Sequence, residues 1–226
     1  MARLVPDSAL AALNLGSALL HMDHFDEAIA EYRRSIGLQP NATAFSNLGT
    51  ALYFLGRYEE AAVELEKATA LAPANPRTWG NLGNALRQMP GRESQAAKAL
   101  QRATGLMREQ IDRNPGEAES WARLAGWHAN LGQSDAARAA IEEALRRGAD
   151  NVHCMVNAGH VYLQLGDRAA ALRWLGLAVG RGYGAESLRR DPQLGPLHDD
   201  PEFERLLEGR PRSSATGIHT EVEGDS

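Results

Sequence analysis

Asn14-Leu15-Gly16, Asn47-Leu48-Gly49 and Asn81-Leu82-Gly83 are one phrase written three times, at spacings of 33 and 34 residues. Degenerate copies follow at Arg123-Leu124-Ala125 and Asn157-Ala158-Gly159, after steps of 42 and 34 residues. A fixed period of this length means stacked copies of one small supersecondary unit, and it decides the architecture before any local pattern is read.

With the small residue of each phrase as position eight of its unit, other positions fall into register. Position twenty holds Ala28, Ala61, Ala96, Ala137 and Ala171, with one inserted residue allowed in the third unit. Position twenty-four holds Tyr32, Leu65, Leu100, Ile141 and Leu175, and position twenty-seven holds Ser35, Ala68, Ala103, Ala144 and Ala178. Small residues at three positions let helix backbones approach, while large residues at the fourth fill the space between them. Gly56, Gly132 and Gly166 fall where the two helices of a unit should be joined, since a residue with positive φ ends a helix there at least cost. Pro40 and Pro73 close the first two units.

This pattern resembles the tetratricopeptide repeat, with its aromatic near position four (Phe45, Trp79, Trp121), Leu-Gly pair, later small residues and closing Pro. The resemblance implies an all-α, right-handed α-solenoid of about five helix-turn-helix units, near 9–41, 42–75, 76–116, 118–151 and 152–184. One hairpin cannot bury its apolar face alone, so neighbours stack into a continuous core with a concave face made by the first helices.

The third unit departs from the pattern. One extra residue falls in Met89-Pro90-Gly91, and about seven lengthen the second helix, which runs on to Asn114 before Pro115. Seven residues are close to two helical turns, so the stripe Ala96, Leu100, Ala103, Met107, Ile111 stays in phase. A spacer that alters the pitch of the array is preferred to a binding spur.

Beyond Tyr183 a different pattern takes over. Asp191-Pro192 and Asp200-Pro201 each read as an N-cap followed by Pro at the first helical position. Phe203, Leu206 and Leu207 give the last helix an apolar side, so residues 185–208 are expected to cap the open end of the stack. This closing phrase also resembles the end of the repeat region in bacterial serine/threonine kinases and related signalling proteins. Residues 209–226 are polar with Gly, Pro and Ser and are expected to be disordered. Residues 1–7 read as a lead-in, Leu4-Val5-Pro6-Asp7 resembling the end of a preceding unit. On that view the chain is a fragment, and its first helix pair exposes an apolar face suited to self-association; a naturally short start is the equal alternative.

The family geometry implies a groove lined by positions two, five, six, nine, twelve and thirteen of each first helix. Position six holds Asn14, Asn47, Asn81, Arg123 and Asn157. A ladder of primary amides can hydrogen-bond an extended peptide without reading its sequence, and Asn at this place can equally satisfy a neighbouring helix. Thr50, Tyr53, Phe54, Arg77, Asn84, Arg87, Gln88 and His160 complete the candidate lining. Apart from Glu119 at the rim, these positions carry no acid, whereas Glu59, Glu60, Glu64, Glu142 and Glu143 cluster on second helices. That contrast favours an acidic or carboxylate-bearing peptide, which Arg forks can pair bidentately. The clamp that holds chaperone tails in some relatives needs a Lys in the first groove, where Leu13 and Ser17 stand instead, so chaperone-tail binding is not expected.

The 226 residues are 43% apolar and 23% charged, with a formal net charge of −5, which excludes a disordered chain and disfavours nucleic acid or acidic lipid as partner. No apolar stretch approaches the ~18 residues needed to span a bilayer. Cys154 is the only cysteine, so neither an internal disulfide nor a multi-thiolate zinc site can form, and a reducing, cytoplasmic setting fits. His153 and His160 share a helix face, but seven residues span about 10.5 Å, too far for one ion to bridge. With His21, His24 and His128 they read as solvated or groove-lining histidines, not metal ligands. Gly180, Gly182 and Gly184 have no strand before them and read as a helix stop, not a phosphate loop. No catalytic constellation and no cofactor site emerge. The expectation is a non-catalytic scaffold for a protein or peptide, with a regulatory or substrate-presenting segment of a larger bacterial signalling enzyme as the alternative.

Overall fold

Five helix pairs follow one another: α1 (Ala9–His21) with α2 (Phe25–Leu38), α3 (Ala42–Phe54) with α4 (Tyr58–Leu71), α5 (Pro76–Arg87) with α6 (Glu93–Arg113), α7 (Ala118–Asn130) with α8 (Ser134–Gly148), and α9 (Val152–Gln164) with α10 (Arg168–Gly180). The computed structural model describes residues 8–208, where two short helices, α11 (Ala185–Arg190) and α12 (Pro201–Leu207), flank a 3-10 helix at Pro192–Leu197. No strand occurs among the described residues, and the architecture is the all-α solenoid expected. The lead-in at 1–7 and the tail at 209–226 lie outside the described residues.

The chain starts and stops its helices where side chains satisfy loose backbone groups. Ser8, Asn41, Asn75 and Asn151 accept hydrogen bonds from backbone N–H groups in the first turns of α1, α3, α5 and α9. Between paired helices a left-handed residue reverses the chain: Gly56 (φ 73°), Gly132 (φ 72°) and Gly166 (φ 81°) as expected, Gly91 (φ 81°) in the third unit, and a non-glycine, Asp23 (φ 62°), in the first. Trp79 and Trp121 donate their indole N–H groups to the carbonyls of Pro73 and Pro115, fastening each first helix to the loop before it.

Inside each pair the position-eight glycine lies under the position-twenty-four side chain. A Cβ on Gly49 would stand 2.5 Å from Leu65, one on Gly83 2.6 Å from Leu100, and one on Gly159 2.5 Å from Leu175. The small residues of positions twenty and twenty-seven are buried to 1% exposure or less throughout. Three contiguous clusters result, around Leu48, Leu52 and Leu65, around Met107, Ile141 and Cys154, and around Met155, Leu175 and Phe203. Burial raises the Cys154 thiol to about 11, aided by the Glu119 charge and opposed by Arg123, so it packs as a small apolar group.

The long α6 keeps its stripe: Ala96, Leu100, Ala103, Met107 and Ile111 are all buried. Met107 and Ile111, toward its end, join the buried cluster that includes Ala122 and Ala125 of α7. Trp127 of α7 reaches the gap left by Gly80 on α5, linking the third and fourth units.

The C-terminal segment does more than close the stack. Asp191 and Asp200 cap as expected, accepting from the backbone N–H groups of Gln193 and Glu202, although the first opens a 3-10 helix. Phe203 and Leu207 pack with Leu172 and Leu175 at the end of the array. Leu188, Leu194 and Leu197, each 1% exposed or less, join the same cluster, so the segment before α12 is part of the core. α11 then reaches the first helix pair: the Ser187 hydroxyl donates to Asp23, Gly184 lies against the same carboxylate, and the Arg190 guanidinium stands 5.7 Å from the Phe25 ring centre. The array curls back on itself, and this contact accounts for Asp23 where a glycine would suffice.

Two alanine substitutions separate close approach from helix propensity. Gly80→Ala places a methyl group inside the rigid, buried indole of Trp127 and is expected to destabilise by about 2–3 kcal/mol. Gly105→Ala, on α6 with open space around it, is expected to stabilise by about 0.5–1 kcal/mol. Urea denaturation followed by circular dichroism reads both.

Candidate binding groove

The position-six amides are used between units. Asn47 Nδ2 donates to Ser17 Oγ at 3.3 Å, and Asn81 Nδ2 to Thr50 Oγ1 at 3.2 Å. Each hydroxyl in turn donates back along its own helix, Ser17 to the Leu13 carbonyl and Thr50 to that of Ser46. These relays join one first helix to the next. Asn157 turns its Nδ2 to the His153 carbonyl of its own helix, and Asn14 is exposed on α1.

One rim is formed by the ends of the first helices. Asn130, at position thirteen of the fourth unit, gathers four partners: it accepts from Arg87 Nη1 (2.5 Å) and Gln164 Nε2 (2.7 Å) and donates to Asn84 Oδ1 (2.8 Å) and Gln193 Oε1 (3.2 Å). It was not among the residues singled out in the sequence, although its position lies on the groove pattern. Tyr53 is buried, its ring edge-on to Phe54 and Tyr58 at 5.7 Å, while Phe54 is half-buried against Phe25. Gln88 caps the end of α5 beside them.

The opposite rim begins the first helices, with exposed Arg77, then Glu119 and His153. Arg123 lies deeper, its Nη2 3.6 Å from Glu119 Oε2, and its buried Nε has no hydrogen-bond partner among the described residues. Burial and the neighbouring Arg77 charge push the Arg123 guanidinium below its usual range, with Glu119 opposing. For Glu119 burial acts upward, but the Asn151 amide at 3.1 Å and the Arg123 charge prevail and hold it low.

The first-helix groove positions carry no acid apart from Glu119, and the cap adds one from outside them. Asp191, 5% exposed, enters from the C-terminal segment, and His160 Nε2 lies 2.9 Å from its Oδ2, out of line for a regular hydrogen bond. The acids on second helices are largely occupied locally, Glu60 by Arg57, Glu64 by Lys67 and Glu143 by Arg146 and Arg147.

Between the groove wall and the cap lies a chamber of about 170 Å³. Thr50, Asn81, Asn84, Arg123, Asn157 and His160 face it from the array, and Tyr183, Asp191 and Gln193 close it. Tyr53 and Phe54 supply an aromatic side. Arg77, Arg87 and Gln88 lie outside this lining. Among the described residues no group of three or more His, Cys, Asp and Glu could hold a metal ion, and no helix is long and apolar enough to cross a membrane.

Two histidines couple the fold to pH. Burial pushes His153 down, with Glu119 opposing and Arg123 assisting; burial also pushes His128 down, against a hydrogen bond from its Nδ1 to Gln133 and with help from Arg108. The unfolded chain therefore binds more protons between the depressed folded values and the ordinary value near 6.5, so stability is full above pH 6.5 and declines as pH falls below it. The urea midpoint is expected to drop between pH 7.5 and 5.5, and the drop to shrink in a His128→Gln, His153→Gln double variant.

Tetratricopeptide-repeat family models match residues 9–41 and 128–186, and a TPR-repeat model matches 49–89. Among curated proteins the sequence finds no match. Among solved structures, a thermophilic TPR protein from Thermus thermophilus is similar with a TM-score of 0.59 and 21% identity, over 89% of this chain and 98% of that one. A chain of the APC/C hetero-tetramer Cut9–Hcn1 is similar with a TM-score of 0.56 and 22% identity, over 90% of this chain and 36% of that one. At these identities the likeness is one of fold. The repeat matches together span more than half of the 226 residues and fall on the stacked helix pairs, and the chain carries tetratricopeptide repeats over residues 9–41, 49–89 and 128–186.

Proposed function

We propose that this chain is a non-catalytic scaffold that binds a protein or peptide partner along the open rims of its concave face. The observation that carries this reading is the distribution of charge: Glu60, Glu64 and Glu143 on the second helices are tied up by neighbouring cations, whereas Arg77 stands exposed at one end of α5 and Arg87, exposed at the other, gives one N–H to Asn130. Ten residues apart, they are separated by about 15 Å along α5 and can grip an extended acidic segment at two points. The deeper groove is closed by the cap, whose Leu188, Leu194 and Leu197 each contribute about 1.5–3 kcal/mol of burial, so a partner engages the rims and does not thread beneath it. The buried lone thiol is compatible with a cytoplasmic setting.

A second reading, a regulatory or substrate-presenting segment of a bacterial signalling enzyme such as a serine/threonine kinase, is favoured by the closing phrase from Asp191-Pro192 to Leu207. A kinase domain encoded ahead of Met1 decides for it. Self-association is favoured by Leu10 and Leu15, 64% and 47% exposed on α1. Light scattering showing a monomer at millimolar concentration rejects that contact.

Affinity capture from a lysate of the source organism, with Arg77→Glu, Arg87→Glu as the comparison, tests the scaffold reading. Asn47 and Asn81 are avoided because their amides join helices, and because Arg87 also bonds Asn130 the variant's helicity is confirmed by circular dichroism before partners are compared. A specific partner is expected to bind wild type and to lose roughly 10-fold in affinity, about 1.4 kcal/mol, on charge reversal. A partner list unmoved by the reversal defeats the acidic-segment reading.

A further inference from the structure

The chamber between groove and cap has features that a rim-binding scaffold does not use. Its walls come from four repeats and the C-terminal segment, and its volume of about 170 Å³ is close to the roughly 150 Å³ of an engineered cavity that takes benzene. That engineered cavity is apolar and stays dry; this one is lined mainly by amides, hydroxyls, imidazoles and two opposite charges.

The charges sit on different structural parts. Arg123 belongs to α7, its buried Nε is unmatched, and among the described residues its ion-pair contact is the long one to Glu119 on the rim. Asp191 belongs to the cap, where it is almost fully buried, accepts from the Gln193 backbone N–H at Oδ1, and has His160 Nε2 2.9 Å from its Oδ2, out of line for a hydrogen bond. Between them, Asn81 and Asn157 each donate one N–H within the array and line the chamber with their amides. An Arg whose buried Nε is unmatched calls for an anionic oxygen, and a buried carboxylate facing the same space takes a cation or further donor beside the misaligned His160 imidazole. A single ligand satisfies both when it is a compact zwitterion.

We propose that the chamber is a binding site for a free α-amino acid, its carboxylate on Arg123, its ammonium on Asp191, and its side chain against Tyr53 and Phe54. The cap segment is then the lid and one wall of a small-molecule site. The site is independent of the partner reading above, because Arg77 and Arg87 lie outside its lining.

The test is isothermal titration of the full chain with each of the twenty α-amino acids. For any that binds, the corresponding decarboxylated amine and the corresponding acid lacking the amino group are titrated as well. Saturable one-to-one binding is expected for at least one amino acid, with a loss of at least tenfold for both truncated analogues. Arg123→Gln and Asp191→Asn are each expected to weaken the same ligand at least tenfold, with helicity by circular dichroism unchanged. If a variant fails to fold, the analogue series on wild type still decides. Flat titrations for all twenty, equal binding of either analogue, or binding that survives both folded variants overturns the proposal.

Discussion

The close approach of two helices within each pair is the constraint on which the rest of the molecule depends. A glycine at position eight receives the branched or aromatic side chain of position twenty-four, and no Cβ fits between Gly16 and Tyr32, Gly49 and Leu65, Gly83 and Leu100, or Gly159 and Leu175. The fourth unit meets the same requirement with Ala125 and Ile141, both fully buried. Because each contact is set by shape and dispersion at full packing density, it fixes the relative height of the paired helices and so the positions presented on the concave side.

Stacking of the pairs uses a different chemistry. Polar relays run from Asn47 to Ser17 and from Asn81 to Thr50, and indole-to-carbonyl bonds hold the loops before α5 and α7. Between the third and fourth units, Arg123 replaces the Asn, Trp127 reaches into the space at Gly80, and Asn130 joins polar ends of the third and fifth units and the cap. The chamber lies beside this junction, where the fourth unit interrupts the amide ladder and places a guanidinium in the wall.

Closure comes from the C-terminal segment. The contacts of Ser187 and Gly184 with Asp23 bring the first turn of the array to its last helices, 164 residues apart in sequence for the hydrogen bond. Such a contact costs the ordering entropy of the segment, which the fully buried Leu188, Leu194 and Leu197 offset. A solenoid that is ordinarily open along its groove is here divided into exposed rims and an interior space.

The sequence by itself determined the period, the helix pairs, the turn glycines, the phase of the long sixth helix and the Asp-Pro caps. All of these rest on interactions between residues fewer than about forty apart, which recur in every unit and are therefore written repeatedly in the chain. Thr50, Asn81, Asn84, Arg123, Asn157 and His160, which the resemblance to the repeat family implied as groove lining, face one chamber. Only the tertiary structure decided which of those side chains are free to meet a ligand. The amides of Asn47 and Asn81 are directed to the neighbouring unit, Tyr53 is buried, and Asn130 and Asp191 matter because of how far α6 and the curl of the array carry them. That curl is the sum of small rotations between units, each set by packing across the whole interface. A sum of this kind leaves no local pattern in the sequence from which the meeting of Asp23 with Ser187 could be read.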